Sequence, residues 1–260
     1  MIGLNRKPLN LDRIIVGENI YGFLVSTSRG IDAVANVFKV LSELNLTLVH
    51  MAIPEPVSKG SKGSFMFFLD FSKSEMSPFE AKRALEEKVP GIKVNIAEPV
   101  LPGVTLDIFH FPLTFLDERA VIFREKILKA WLINIRERFG TGGEAFLFYE
   151  GYIVGDSIYD ACHRICVGEC DVWSALRAVL FASGVAEDMS VSVGYERATI
   201  KVWNNIECSL GKEKNVNKPF SHWLRGLIAG FGSRFFGRRV SVVETKCIAK
   251  GDPYCEFVIV

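Results

Sequence analysis

The sequence predicts an α+β chain of two domains, and three observations carry that expectation. Short β-rich runs alternate with helix-spaced segments between residues 19 and 99. Pro102, Gly103 and Pro112 then cluster around a short apolar run. Beyond residue 118 come long helical patterns, closely spaced strand-like runs and a final pair of strands around a turn. The expected boundaries are 15–100 for the first domain, 101–117 for a linker and 118–260 for the second domain. A chain of 260 residues has room for two such domains, and 49% apolar with 23% charged residues is a globular composition.

In the first domain NIYGFLVST (19–27) has strand character, and Gly30 opens a helix. There Ile31, Val34, Val37, Phe38 and Leu41 keep helical spacing. LTLVHMAI (46–53) and FMFFLDF (65–71) read as strands on either side of the polar loop PVSKGSKGS. Ser77 and Pro78 are an N-cap and first-turn pair for a helix that runs to about Lys88 and stops at Pro90-Gly91. IKVNIAEPV (92–100) is the fourth strand. The order βαββαβ predicts a ferredoxin-like four-stranded antiparallel sheet with two helices on one face.

In the second domain a long amphipathic helix is expected from Glu118 to Phe139, capped by Gly140. Its inner face is Phe123, Ile127, Leu128, Trp131, Leu132 and Ile135. EAFLFYEGY (144–152) reads as a strand, 156–183 as helix interrupted by Gly168, and MSVSVGYERAT with IKVWNNIECS as two strands. Pro219 opens a helix through Phe236. VSVVETKCIA and EFVIV close the chain as a strand pair. These add up to a mixed α/β ligand-binding domain with an antiparallel sheet and a Gly-rich helix.

The composition excludes several function classes. A formal net charge of +1 gives no broad electrostatic surface for nucleic acid, and no helix-turn-helix is evident. The opening MIGLNRKPLNLDRII lacks the apolar core of a signal peptide, and no run of apolar residues is long enough to span a membrane. The expected location is therefore cytoplasmic, where six Cys read as thiols, ligands or core residues rather than a disulfide framework. Gly-x-Ser-x-Gly does not occur, and RFGTGGEAF places its glycines before a strand-like run, which fails as a dinucleotide fingerprint. Three of the four His have no obvious carboxylate partner. Twenty Phe supply either core area or the lining of an apolar cavity.

The loop Ser28-Arg29-Gly30-Ile31, the strand LTLVHMAI and the later GIKVNI resemble an ACT-type regulatory domain. That resemblance implies a small effector near Ser28, Arg29 and Gly30 and a homodimer. The alternative is a packing or dimerisation module without a ligand.

The last segment, ETKCIAKGDPYCEFVIV, carries the densest chemistry. Side chains alternate along a strand, so Glu244 and Cys247 share a side only with a bulge or turn near Lys246. Gly251, Asp252 and Pro253 then fold the chain back and return Cys255 beside Cys247. Two thiolates and a carboxylate are three of the four ligands of a tetrahedral zinc site. The alternative is a hairpin with buried thiols. The order of an R-G-x-x-x-G-F helix, an E-T-x-C strand and G-D-P-x-C-x-F resembles a 4-vinyl reductase-type domain, a small-molecule-binding module. That module is related to the sensor domains of phenol-responsive activators and to TRAPP subunits, and the resemblance extends over about 119–260. It implies zinc on Glu244, Cys247 and Cys255, with a further Cys before the Gly-rich helix. That position falls on Ser221, a departure from the family, and His222 or Cys208 are the available substitutes.

Gly226, Gly230, Ser233 and Gly237 put a small-residue face on the last helix, which either admits another backbone or leaves room for a ligand. The resemblance implies an apolar cavity there for a hydrophobic or aromatic small molecule. Candidate lining residues are Phe146, Phe148, Tyr152, Trp173, Trp203, Trp223 and Phe231, with His222 and Trp203 as polar contacts; ordinary core packing is the alternative for each. Cys162, Cys166 and Cys170 stand at i, i+4 and i+8, as a metal or redox stripe or a small apolar face, unless Gly168 breaks the helix. Three functions follow: a ligand-sensing regulatory protein, a reductase or tetrapyrrole-metabolism enzyme, and a cysteine- or metal-based redox switch. The first leads, since no flavin or nicotinamide motif accompanies the second.

Overall fold

The structure is a computed structural model that describes residues 7–9, 11, 13–54, 57–166, 168 and 170–260. The fold is α+β. The chain divides into two compact units, one ending at Ala120 and the other spanning Val121–Val260.

The first unit contains the expected βαββαβ order. Strands β2 (Ile20–Thr27), β3 (Thr47–Ala52), β4 (Gly63–Asp70) and β5 (Ile92–Ala97) form one antiparallel sheet in the order β3-β4-β2-β5. Helices α1 (Ile31–Glu43) and α2 (Pro78–Lys88) accompany it. Alternation along β2 and β4 sends Phe23, Val25, Phe65, Phe67 and Leu69 to one face, where they meet Val34, Val37 and Leu41 of α1 and Leu85 of α2. The Phe23 and Phe67 rings stack at 5.6 Å between centroids. Ser77 and Glu80 form a reciprocal capping box, with Pro78 in the first turn.

Residues 101–117, expected as a linker, belong to this unit. Strand β7 (Val104–Leu106) pairs antiparallel with β1 (Ile14–Val16) on one side and with β6 (Pro99–Leu101) on the other. A two-stranded ribbon of β8 (Thr114–Phe115) and β9 (Glu118–Arg119) follows. The β1 partner of β7 lies about ninety residues upstream, so no local pattern announces the pairing.

The second unit contains α3 (Glu125–Phe139), α4 (Thr141–Ile165), α5 (Val172–Ala182), α6 (Ile206–Glu213) and α7 (His222–Phe236). Its antiparallel sheet runs β10-β11-β13-β12, from β10 (Asp188–Val193), β11 (Ala198–Trp203), β12 (Val242–Lys246) and β13 (Cys255–Ile259). Three expectations are corrected here. The helix begins at Glu125, not Glu118, which lies in β9. Residues 144–152 are helical, inside α4, although their aromatic alternation reads as a strand. The run after Trp203 turns into α6, whose N-cap Asn205 accepts from the Glu207 N–H at 3.1 Å.

The small-residue face of α7 admits another backbone rather than a ligand. A Cβ on Gly226 would fall 2.0 Å from the Phe148 carbonyl oxygen, and one on Gly230 2.1 Å from that of Tyr152. The facing helix answers in kind: a Cβ on Gly151 or Gly155 would fall 2.0 Å from the carbonyl oxygen of Trp223 or Leu227. Four glycines, two on each helix at i and i+4, thus set the crossing of α4 on α7.

Candidate metal centre and apolar groove

The closing hairpin bends as its sequence requires. Glu244 pairs with Phe257 but Lys246 pairs with Glu256, so the register slips by one residue between them. That bulge turns Glu244 and Cys247 toward one point. A 3-10 turn at Ile248–Lys250 follows, and Gly251 takes a φ of 98°. The Cys247 N–H donates to Asp252 Oδ2 at 2.8 Å, which pins the turn. Cys255 opens the returning strand.

Cys208, Glu244, Cys247 and Cys255 each present a ligand atom within 4.8 Å of the others. Cys208 Sγ lies 3.4 Å from Cys247 Sγ and 4.0 Å from Glu244 Oε1. Two thiolates on one tetrahedral zinc, with Zn–S of about 2.3 Å, stand about 3.8 Å apart, so the spacing fits the ion. The three cysteines are fully buried. Cys208 is the substitute that the fold brings in, from α6. His222 is not near: its Nδ1 is 3.3 Å from Arg136 Nη2 and its Nε2 3.6 Å from Glu144.

Ser221 stands inside the cluster without being a thiol. Its hydroxyl donates to Glu244 Oε1 at 2.8 Å and lies 2.8 Å from Cys208 Sγ, while its N–H donates to Glu244 Oε2 at 3.2 Å. Asn205 Nδ2 donates to the Ser221 hydroxyl at 3.1 Å. Ser221 therefore orients ligands in the way outer-shell partners orient a metal site.

The electrostatics concentrate one charge. Hydrogen bonds from Cys208 and Cys247 hold the Cys255 thiol down to about 4. Hydrogen bonding to Cys247 and Cys255, with burial, pushes the Cys208 thiol up. Burial, with Cys247 beside it, pushes the Glu244 carboxyl up to about 8. A dication in the centre reverses this balance by replacing the shared protons, as metal binding to thiols does.

Beside the cluster lies a polar knot that sequence reasoning missed. Glu207 is fully buried, and it accepts from the Trp223 and Leu224 N–H groups at 3.0 Å each and from Arg136. Burial pushes its carboxyl up, against the pull of these donors. With a guanidinium and the first amides of α7 all donating, the geometry is that of a carboxylate. The signal was a lone Glu next to Cys208 in a run that reads as strand, and nothing in it announces burial.

An apolar groove of about 470 Å³ opens among α3, α4, α6 and α7, lined in part by Trp131, Leu132, Phe146, Ile206, Glu207 and Trp223. The helix face expected to be internal, Leu128, Trp131, Leu132 and Ile135, lines this groove instead of the core. Trp131 keeps 50% and Phe146 52% of its surface exposed, and the buried positions of α3 are Ile133 and Arg136.

Of the eight candidate ligand residues, Phe146 and Trp223 line the groove. Trp173 and Phe231 are buried core, with rings 4.7 Å apart. Trp203 packs against Tyr254 on the sheet. Phe148 lies under the Arg225 guanidinium, and Tyr152 faces α7 at the glycine crossing. His222 belongs to the Arg136–Glu144 knot.

In the first unit Gly30 has a φ of 63°, and a Cβ there would fall 1.7 Å from the Ser58 carbonyl oxygen. The Arg29 N–H donates to Thr27 Oγ1, and that of Ser28 to the Gly91 carbonyl. Ser28 lines an open basin of about 540 Å³ with Lys62, Ser64 and Lys93.

The expected cysteine stripe is corrected. Helix α4 ends at Ile165, and Gly168 takes a φ of 71°. This turn brings the Cys166 and Cys170 Cα atoms to 5.1 Å, and the two form a disulfide outside the helix. Cys162 stays a free, buried thiol, pushed up to about 11 by burial.

Comparison with known proteins identifies the domain that carries the cluster. Residues 199–260 match the vinyl-4-reductase domain family, so the C-terminal part of the chain carries a domain of that family. Two curated relatives are uncharacterized proteins of Methanocaldococcus jannaschii. One is 49% identical over 45 residues, 17% of this chain and 26% of its own length; the other is 30% identical over 60 residues, 23% and 36%. The matched stretches thus span about a quarter and a third of those relatives. Among solved structures, the phenol-responsive sensory domain of the transcription activator PoxR aligns with a TM-score of 0.49 at 14% identity, covering 55% of this chain and 76% of that one. A vinyl-4-reductase family protein of Methanocaldococcus jannaschii aligns with a TM-score of 0.40 at 16% identity, covering 54% and 83%. Among the described residues no helix is long and apolar enough to cross a membrane.

Proposed function

We propose that this chain is a small-molecule sensor of regulatory role. Its second unit holds an apolar ligand in the groove among α3, α4, α6 and α7, and a zinc ion ties the closing hairpin to α6. The observation that carries the reading is the α3 face: an amphipathic helix turns Leu128, Trp131, Leu132 and Ile135 toward a groove rather than into the core. Half-exposed Trp and Phe around a concave apolar surface are a feature of small-molecule sites. The vinyl-4-reductase domain match over 199–260 supports it from the sequence side.

In the zinc reading Cys208, Glu244, Cys247 and Cys255 hold the ion, which supplies a structural cross-link between α6 and the β12–β13 hairpin. Ser221 and Asn205 orient the donors. Four protein ligands leave no open position, so the site stabilises rather than catalyses. The first unit, in the same reading, offers an effector basin beside Ser28, Arg29 and Gly30, and the chain acts as a homodimer. Native mass spectrometry of the purified protein with elemental analysis tests all of this. One zinc per chain, a retained small molecule and an even oligomer are expected. A metal-free monomer that takes up neither zinc nor apolar ligands ends the reading.

A redox switch is the second reading, favoured by the Cys166–Cys170 disulfide. Mass measurement of free thiols before and after reductant, with ligand affinity in both states, decides it. Equal affinity in the two states removes the switch.

A further inference from the structure

The charge of the groove narrows what it holds. Its lining contains three large aromatic side chains, Trp131, Phe146 and Trp223, and its charged side chains are two carboxylates, Glu150 and Glu207; among the described residues no Lys, Arg or His lines it. The two carboxylates are not equivalent. Glu207 is fully buried and matched by Arg136 and two backbone N–H groups. Glu150 sits on α4 one turn beyond Phe146, is exposed, and has no ion-pair partner among the described residues. The rim of an apolar, aromatic groove therefore carries one unmatched negative charge.

We propose that the groove selects an apolar molecule bearing a cationic amine, with the body between α3 and α4 and the ammonium at Glu150. This rests on the reading of the groove as the ligand site. An anionic head group meets Glu150 and finds no cation in the lining, and an anion taken from water without a partner is costly. A neutral hydroxyl gains no charge pairing. An ammonium gains from both features, since the faces of Trp and Phe attract cations and Glu150 supplies the counter-charge.

The test uses three probes of one skeleton, 2-(2-naphthyl)ethylamine, 2-(2-naphthyl)ethanol and 2-naphthylacetate, titrated calorimetrically into the full chain. The amine is expected to bind about tenfold tighter than the alcohol, within the range of a partly desolvated cation–aromatic and ion-pair contact. The acid is expected to bind weakest. Glu150→Gln should bring the amine to the affinity of the alcohol and leave the alcohol unchanged; the site is exposed, so the variant folds. Leu132→Trp, which fills the groove, should abolish binding of all three. An acid that binds as tightly as the amine, or an amine preference that survives Glu150→Gln, overturns the inference alone. Binding that survives Leu132→Trp, or the failure of all three probes, overturns the groove as the ligand site as well.

Discussion

The two antiparallel sheets of this protein are buried in different ways. The sheet of the first unit is covered by phenylalanine: Phe23, Phe65 and Phe67 are fully buried against the two helices, and no charged side chain lies among them. The second unit carries apolar residues such as Ile200, Phe257 and Ile259 along its strands, yet beside them it buries Glu207, Arg136, Asn205 and Ser221 together with three thiols. Buried polar groups cost stability unless every one is matched. The first core is explained by its stability alone. The second keeps a polar cluster that apolar packing would not require, and a site that a protein retains against that cost is a functional candidate.

The largest expected effect strikes the second unit only. Gly226→Val places a side chain where a Cβ already meets the Phe148 carbonyl at 2.0 Å, and the expected loss exceeds about 4 kcal/mol. Calorimetry should show the transition of the second unit gone and that of the first retained; two unchanged transitions contradict the crossing. Next is Phe67→Ala, which empties the first core at an expected cost of about 3–5 kcal/mol. It should leave zinc uptake by the second unit as it was.

Zinc sharpens the contrast further. At a hundredfold excess over its Kd the ion should stabilise the second unit by about 2.7 kcal/mol and the first not at all. Cys247→Ser should lose most of that gain, measured by competition with a chromophoric chelator. Equal affinity in the variant removes Cys247 from the site.

The smallest effect concerns pH. Burial, and then the Arg136 guanidinium, push the His222 imidazole down to about 4 from its ordinary 6.5. A depressed base contributes stability that is full above 6.5 and lost as pH falls through 4, since the unfolded chain takes up the proton first. The expected loss across that window is about 2 kcal/mol, discounted for the partial exposure of the ring. His222→Gln should flatten this part of the stability curve, followed by chemical denaturation at stepped pH.

The parts legible in the sequence are those set by neighbours along the chain. Helical spacing in α1, the Ser77-Pro78 start of α2 and the Gly251-Asp252-Pro253 turn are local signals, and each falls where expected. The bulge that brings Glu244 beside Cys247 is also local, because a strand cannot otherwise turn two residues three apart to one side. The misreadings have local causes too. Phe146 and Phe148 alternate as strand residues do, but Gly151 and Gly155 keep the four-residue spacing of a helix contact, the signal that identifies α4. Asn205 as an N-cap was the cue for α6. By contrast, the burial of Glu207, the pairing of β7 with β1 and the half-exposed face of α3 depend on what lies opposite, which no single stretch encodes.

The reciprocal glycines of α4 and α7 have a mechanical consequence. With each backbone seated in notches of the other, sliding by even one residue would drive side chains into peptide carbonyls. The pair therefore behaves as one stiff plank, interlocked like gear teeth. A wall that yields to an incoming guest is left to α3, whose apolar face is not held by such teeth.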